Sequence, residues 1–292
     1  MSLPFIMALT FAVILILVFY ACWYVSARAQ TPKRRPIEHM PDMPYEDISF
    51  LSQGSVIKGW FVPSSDLKTK PPVILIAHGW NSNRSRVLRY ARPLYNAGYA
   101  LLLYDARSHG ESDGIPAPSG MAFRDDLLSA VDYIHARPDV DANRIGVLGH
   151  SLGGFAGAAS LWDERRIRAL VTDSMPVRIE AMIGAELNRL RIPLFPLATI
   201  IPRVWFIRAG INREMLAKLD LISALSRSGD AVPRLHVHSR NDDYVPSTEL
   251  DYLAAQSLSG AEHLYVDARG HSCSETDPLF WERVLPFFRN HI

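Results

Sequence analysis

From residue 45 onward, short apolar runs alternate with longer stretches of helical periodicity. Val73–Ala77 reads Val-Ile-Leu-Ile-Ala, a continuous apolar run of the kind found in a strand covered on both faces. Residues 99–104, 144–148, 169–172 and 234–238 repeat that character, and 262–266 is a shorter, more mixed version. Between them, helices are predicted over 85–96, ending before Gly98, and over 121–136, ending before Pro138. Others follow over 152–162, 248–257 and 278–289. Residues 45–52 and Ser55–Val62 alternate around Gln53-Gly54 and predict an antiparallel hairpin; 63–72 is a polar loop. Strands alternating with helices imply an α/β fold: a mostly parallel sheet of about eight strands, with right-handed crossovers and flanking helices. One interval breaks the rhythm. Residues 175–232 hold nearly 60 positions between two strands, too many for a simple crossover. Their middle, 192–207, is rich in Leu, Ile, Pro, Phe and Trp, and predicts a helical cap over the carboxyl edge of the sheet.

The N-terminus follows a different pattern. Residues 5–25 carry no charge, and Thr10 is the one clearly polar side chain. At about 1.5 Å per residue this run is long enough to cross a hydrocarbon core of roughly 30 Å. Tyr20, Trp23 and Tyr24 sit near its end, where interfacial aromatics belong. The expected organisation is an anchor over 1–28, a Pro-rich basic tether with little fixed structure over 29–44, and one domain over 45–292 that includes the 175–232 cap. Arg28, Lys33, Arg34 and Arg35 follow the span and place its C-terminal side in the cytoplasm by the positive-inside rule. The competing reading is a signal peptide cleaved near Ala29, since Ala27-Arg28-Ala29 resembles a cleavage site. The long apolar run and the lack of a basic residue at 2–4 weigh against it.

Composition narrows the chemistry. A formal charge of +1 gives no reason to expect a nucleic-acid partner. Two cysteines, Cys22 and Cys273, exclude a disulfide framework and a cysteine-based zinc site. The informative stretch is Gly149-His150-Ser151-Leu152-Gly153, which closes an aliphatic run and opens a small-residue helix. As a bare pattern it is weak; in a strand–turn–helix setting it predicts a strained elbow that presents Ser151. A serine hydroxyl needs a base, and the base needs an orienting carboxylate. Of ten histidines, His271 is the best placed, after Gly270 in a loop that follows the final strand. Asp242, after the preceding strand, is the carboxylate of choice, with Asp243 and the more distant Asp173 as alternatives. The backbone N–H groups of Leu152 and Trp80 are the candidate oxyanion donors, Gly79 allowing close approach. His78 has a plain alternative role, packed beneath the site.

With these residues in order, the chain resembles the α/β-hydrolase superfamily over about residues 45–292. The resemblance rests on His78-Gly79, on Asp105-Ala106-Arg107-Ser108-His109-Gly110-Glu111-Ser112, on the Ser151 elbow, on Asp242-x-x-Val245-Pro246 and on Gly270-His271. Within it the chain is similar to the membrane-anchored Bem46-like and serine-aminopeptidase-like branches. The resemblance implies the α/β-hydrolase fold and two-step acyl transfer from Ser151 with His271 and Asp242, without metal or organic cofactor. It gives Asp105 and Arg107 a bracing role. Ser239 departs from it, standing where relatives carry glycine. The apolar cap beside an N-terminal anchor, with residues 5–25 in a membrane, suggests a carboxylic ester or thioester substrate, small or lipid-like. A peptidase or amidase using the same residues, and an inactive binding protein on this fold, are the competing readings. Arg203 and Arg208, in the cap, are candidates for anionic headgroups or ordinary solvated cations. Nothing in the sequence speaks to oligomeric state.

Overall fold

The computed structural model describes residues 2–66, 70–191 and 197–292, side chains at 186 and 197–199 excepted. Residues 67–69 of the expected polar loop and 192–196 of the apolar cap stretch lie outside them. The first helix, α1 (Leu3–Ala29), carries Pro4 in its first turn and is exposed until its last turns, where Ser26 and Ala29 are buried. It is longer than the expected 5–25, and its most apolar window has a mean hydropathy of 2.8.

Strands β1 (Glu46–Ser52) and β2 (Ser55–Val62) form the expected hairpin. Gln53 and Gly54 both have positive φ, 48° and 81°, the turn that matches right-handed strand twist. Then come β3 (Val73–Ala77), a 3₁₀ turn (Arg84–Tyr90), α2 (Ala91–Asn96) and β4 (Ala100–Tyr104). One continuous helix over 85–96 does not form. Pro93 has no N–H to bond the carbonyl of residue 89, and the Arg84 N–H is drawn to Asp105 Oδ1 (2.7 Å). Helix α3 (Gly120–His135) leads to β5 (Ile145–His150), α4 (Leu152–Ser160) and β6 (Ile167–Asp173). After the cap, β7 (Arg234–Asn241), α9 (Thr248–Ala254), β8 (Ala261–Arg269) and α10 (Pro278–His291) complete the chain.

The cap between β6 and β7 contains α5 (Ile179–Arg189), α6 (Leu197–Arg208), α7 (Arg213–Lys218) and α8 (Leu221–Ser228). The eight strands lie in the order β1-β2-β4-β3-β5-β6-β7-β8, with β1/β2 and β2/β4 antiparallel and every other pair parallel. Alternation along β3 shows why its sequence is uniformly apolar. Val73, Leu75 and Ala77 join the core with α3 and α4, while Ile74 and Ile76 join the opposite core with α2 and α10. At the edge, β8 leaves Glu262, Asp267 and Arg269 exposed, which accounts for its mixed sequence and hidden length.

The segment at 29–44 departs from a slack tether. It has no helix beyond the end of α1 and no strand, yet it is pinned to the domain. Asn83 Nδ2 donates to the carbonyls of Arg35 (3.0 Å) and Pro36 (2.8 Å), and His39 N donates to Ser85 Oγ (2.9 Å). Proline-rich backbone leaves its carbonyls unpaired, and here side chains of the domain take them up.

Candidate active site

Ser151 stands between β5 and α4 with φ 54° and ψ −121°, a conformation that side-chain-bearing residues avoid and that stores about 1–3 kcal/mol of strain. The crowding around it makes the flanking glycines obligatory. A Cβ on Gly149 would lie 2.5 Å from the Gly153 backbone, and one on Gly153 would lie 2.3 Å from the Ala77 carbonyl oxygen. The turn brings the end of β5 against β3, and Ser151 N donates to the Asp173 carbonyl of β6 (2.8 Å). The serine is therefore held by three adjacent strands rather than by its own loop.

His271 reaches it from the far end of the sheet. Its Nε2 lies 2.9 Å from Ser151 Oγ and its Nδ1 2.8 Å from Asp242 Oδ2. The Asp242 side chain is fully buried, and its Oδ1 accepts from the N–H groups of Tyr244 (2.8 Å) and Val245 (2.9 Å). It thus closes a turn and orients a histidine with different oxygens. Burial pushes the Asp242 carboxyl up, but hydrogen bonds from His238 and His271 outweigh it and hold the group well below the usual carboxylate range. The alternative carboxylates have other partners. Asp243 Oδ1 accepts from His271 N (3.1 Å), and Asp173 Oδ2 accepts from the Tyr90 hydroxyl.

Gly79 packs so tightly on Ser151 that an added Cβ would lie 2.8 Å from the serine Cβ, which carries the Trp80 backbone to the nucleophile. The amides of Trp80 and Leu152 have no hydrogen-bond partner among the described residues, so both donors remain available to an oxyanion. His78 takes the plain role. Its Nδ1 donates to the Gly79 carbonyl (2.7 Å) and its Nε2 accepts from Ala106 N (3.0 Å), while burial pushes its pKa down and keeps the ring neutral. The Asp105 loop is a brace: Asp105 binds Arg84 and accepts from Glu111 N (2.9 Å), and Arg107 Nε donates to Asp126 (2.6 Å). Ser239 donates to the Ala268 carbonyl and accepts from Asn241 N (3.2 Å), tying β7 to β8 at the bulge where the acid loop starts.

All five residues singled out from the sequence meet in one place. Two supports were not legible there. His238 Nε2 lies 3.5 Å from Asp242 Oδ2 and 3.0 Å from the Val245 carbonyl, so a second histidine shares the carboxylate. Burial pushes His238 down, but the Asp242 contact prevails and its pKa is raised. His150 is buried, kept neutral by desolvation, and donates from Nε2 to the His271 carbonyl (2.8 Å). The four-residue spacing of His238 and Asp242 is a usable signal; His150 carries none beyond its place in the elbow.

Ser151 opens on an apolar pocket of about 820 Å³, mouth included, walled by Leu152, Phe155, Ile179, Met182, Ile183 and Trp205. Gln30, directly after α1, also lines it. Gln30 Nε2 donates to the carbonyls of Pro118 and Trp205 (both 3.3 Å), Trp205 Nε1 donates to the Ser26 carbonyl (2.7 Å), and Val25 packs against the small cluster of Ile183, Leu187 and Ile201. Of the cap arginines named as headgroup candidates, Arg208 is engaged by Gln30 Oε1 (2.9 Å) and the Pro116 carbonyl (3.0 Å); Arg203 is exposed.

Residues 69–230, more than half of the chain, match the family described as serine aminopeptidase, S33. The chain belongs to that family. It is an α/β-hydrolase in fold and in coarse function. The hydrolase is similar to the uncharacterized protein YqkD of Bacillus subtilis, 28% identical over 234 residues, covering 76% of this chain and 71% of the relative. It is also similar to thiohydrolase aneE of Aspergillus aculeatus, 26% identical over 147 residues, covering 49% of this chain and 45% of aneE. Among solved structures, the Pyrococcus furiosus esterase Pf2001 superposes with a TM-score of 0.70 at 20% identity, covering 89% of this chain and 97% of the esterase. That likeness concerns the fold.

Proposed function

We propose that this hydrolase cleaves carboxylic esters or thioesters of lipophilic acids through Ser151, His271 and Asp242. The observation that carries the reading is Ser151 Oγ, 2.9 Å from a histidine oriented by a buried carboxylate, at the floor of an apolar pocket. Ser151 Oγ attacks the acyl carbon as His271 Nε2 takes its proton, and the oxyanion meets the Trp80 and Leu152 amides. The bond to the leaving oxygen or sulfur breaks, and that atom takes the proton from His271. Water then gives a proton to His271 and attacks the acyl-enzyme, releasing the acid and returning the proton to Ser151. The balance is ester plus water to acid plus alcohol or thiol. Asp242 keeps the Nδ1–H tautomer throughout.

The pocket favours esters over aminoacyl amides. An aminopeptidase needs a carboxylate for the substrate's free ammonium group, and no acidic residue lines the pocket among the described residues. Relatives named as esterase and thiohydrolase are compatible with this reading. The test compares p-nitrophenyl octanoate, an octanoyl thioester and leucine p-nitroanilide. Turnover of an octanoyl substrate is expected to exceed that of the anilide by at least about 100-fold; preference for the anilide contradicts the proposal.

The same reading takes α1 as an uncleaved single span with the domain in the cytoplasm. The uncleaved span is supported by the way Val25 and Ser26 are built into the cap contact and Ala29 is buried, which cleavage after Ala29 would undo, and the cytoplasmic side by Arg28, Lys33, Arg34 and Arg35 after the span. The intact mass of the purified chain tests this, because a mature chain starting at Gln30 rules the anchor out.

A further inference from the structure

Ser151 has a second pocket beside it, of about 800 Å³ with its mouth, which shares only Trp80, Ser151 and Tyr244 with the apolar one. Its character is opposite. Lys33, Arg35, Arg86 and Arg189 line it, and no carboxylate does among the described residues. Four cations at one site are a local concentration in a chain whose formal charge is +1. Lys33, Arg35 and Arg86 form no ion pair among the described residues, unlike many arginines of this chain, so their charge is not neutralised within the fold. They are also positioned. Asn81, at φ 56°, accepts from Lys33 N through Oδ1 (2.6 Å) and from Arg35 Nε through its carbonyl (2.8 Å). The segment after α1 is thereby fixed along the rim.

The pocket's place relative to the reacting atoms assigns its role. His271 and His150 line it, whereas Leu152 and Phe155 line the apolar pocket. The imidazole must hand its proton to the leaving atom, so the leaving group departs on the His271 side. Resting on the ester or thioester reading above, we propose that the basic pocket holds a phosphate-bearing leaving group while the apolar pocket holds the acyl chain. A phosphate carries up to two negative charges and several acceptor oxygens, enough to engage Lys33, Arg35 and Arg86 from two chain segments at once. The substrate class is then an acyl ester or thioester of a phosphorylated alcohol or thiol. Two sources share that chemistry: a glycerophosphate lysolipid and an acyl coenzyme A.

The experiment uses the full chain in a non-ionic detergent and short, monomeric substrates in matched pairs. One pair is 1-octanoylglycerol and its 3-phosphate; the other is octanoyl N-acetylcysteamine and octanoyl coenzyme A. In at least one pair, kcat/KM for the phosphorylated member is expected to exceed its neutral partner about tenfold at low salt, and the ratio to shrink as salt rises. The pair that shows the preference names the source. Arg86→Gln, at an exposed side chain, should lower that ratio about threefold, and the combined K33Q/R35Q/R86Q change should bring it close to one. Ratios near one in both pairs, with hydrolysis intact, overturn the basic pocket's role and leave the hydrolase reading standing. Absence of Ser151-dependent turnover of all four overturns both.

Discussion

Asp242→Asn isolates the part of the site that does not touch the acyl group. In the wild-type site Oδ1 accepts two backbone N–H groups and Oδ2 faces His271 Nδ1 at 2.8 Å. An asparagine must keep its oxygen toward Tyr244 N and Val245 N, which turns its amide nitrogen toward His271. The imidazole then serves as acceptor at Nδ1 and carries its proton on Nε2, pointing at Ser151 and unable to act as base. The imidazolium that forms at the transition state also loses its counter-charge. At a charge separation of about 4 Å and an effective dielectric constant of about 20, that loss is ~4 kcal/mol, or about 1,000-fold. With the tautomer reversed, kcat for p-nitrophenyl octanoate should fall about 10³- to 10⁴-fold at pH 7.5. Asp243→Asn is the control. Among the described residues its oxygen accepts only the His271 backbone N–H, which the amide oxygen can still do, so a change below about threefold is expected. A folded Asp242→Asn protein within tenfold of wild type, or a larger loss at Asp243, refutes the assignment.

Gly153→Ala drives a Cβ into the Ala77 and His78 backbone, where no side chain can yield. Unfolding in detergent should show a loss of about 3 kcal/mol or more, and an unchanged midpoint contradicts the elbow packing. Burial pushes His109 and His236 from 6.5 to about 3, so below pH 6.5 the unfolded chain binds protons that the folded one refuses. Stability is full above that pH and falls below it, by on the order of 2–3 kcal/mol for each ring at pH 4.5, with His238, whose pKa is raised, working weakly in the opposite direction. Thermal melting should therefore be flat from pH 8 to 7 and drop steeply below about 6; a melting temperature that rises toward pH 5 contradicts the burial argument. Met182→Trp fills the apolar pocket and should lower kcat/KM for a dodecanoyl ester at least about tenfold relative to a butanoyl ester. An unchanged ratio places the acyl chain elsewhere.

The features legible in the sequence are those fixed by local pattern. Val73–Ala77 is apolar throughout because two layers cover it, and the elbow is marked by its own G-x-S-x-G pattern, although Gly149 is crowded by the neighbouring turn and Gly153 by the distant Ala77–His78 backbone. Asp242 and His271 are legible because each follows a strand whose end lies at the same sheet edge. What escaped depends on contacts between distant segments. The helix expected over 85–96 is broken by Pro93 and by a buried carboxylate at Asp105, and the second of these is invisible to periodicity. The segment at 29–44 looks like a tether because nothing in its composition reveals Asn81 and Asn83. The basic pocket gathers residues 33, 35, 86 and 189, which no spacing relates. His238 acquires its role only once β7 bulges and the acid loop turns back on it.

The central claim is that Ser151 is the nucleophile, and covalent labelling of the full chain with a fluorophosphonate probe measures it directly. Peptide mass spectrometry should place a single adduct on Ser151, and Ser151→Ala, with an unchanged melting temperature, should abolish both the adduct and ester turnover. Labelling or turnover that survives in Ser151→Ala contradicts the account.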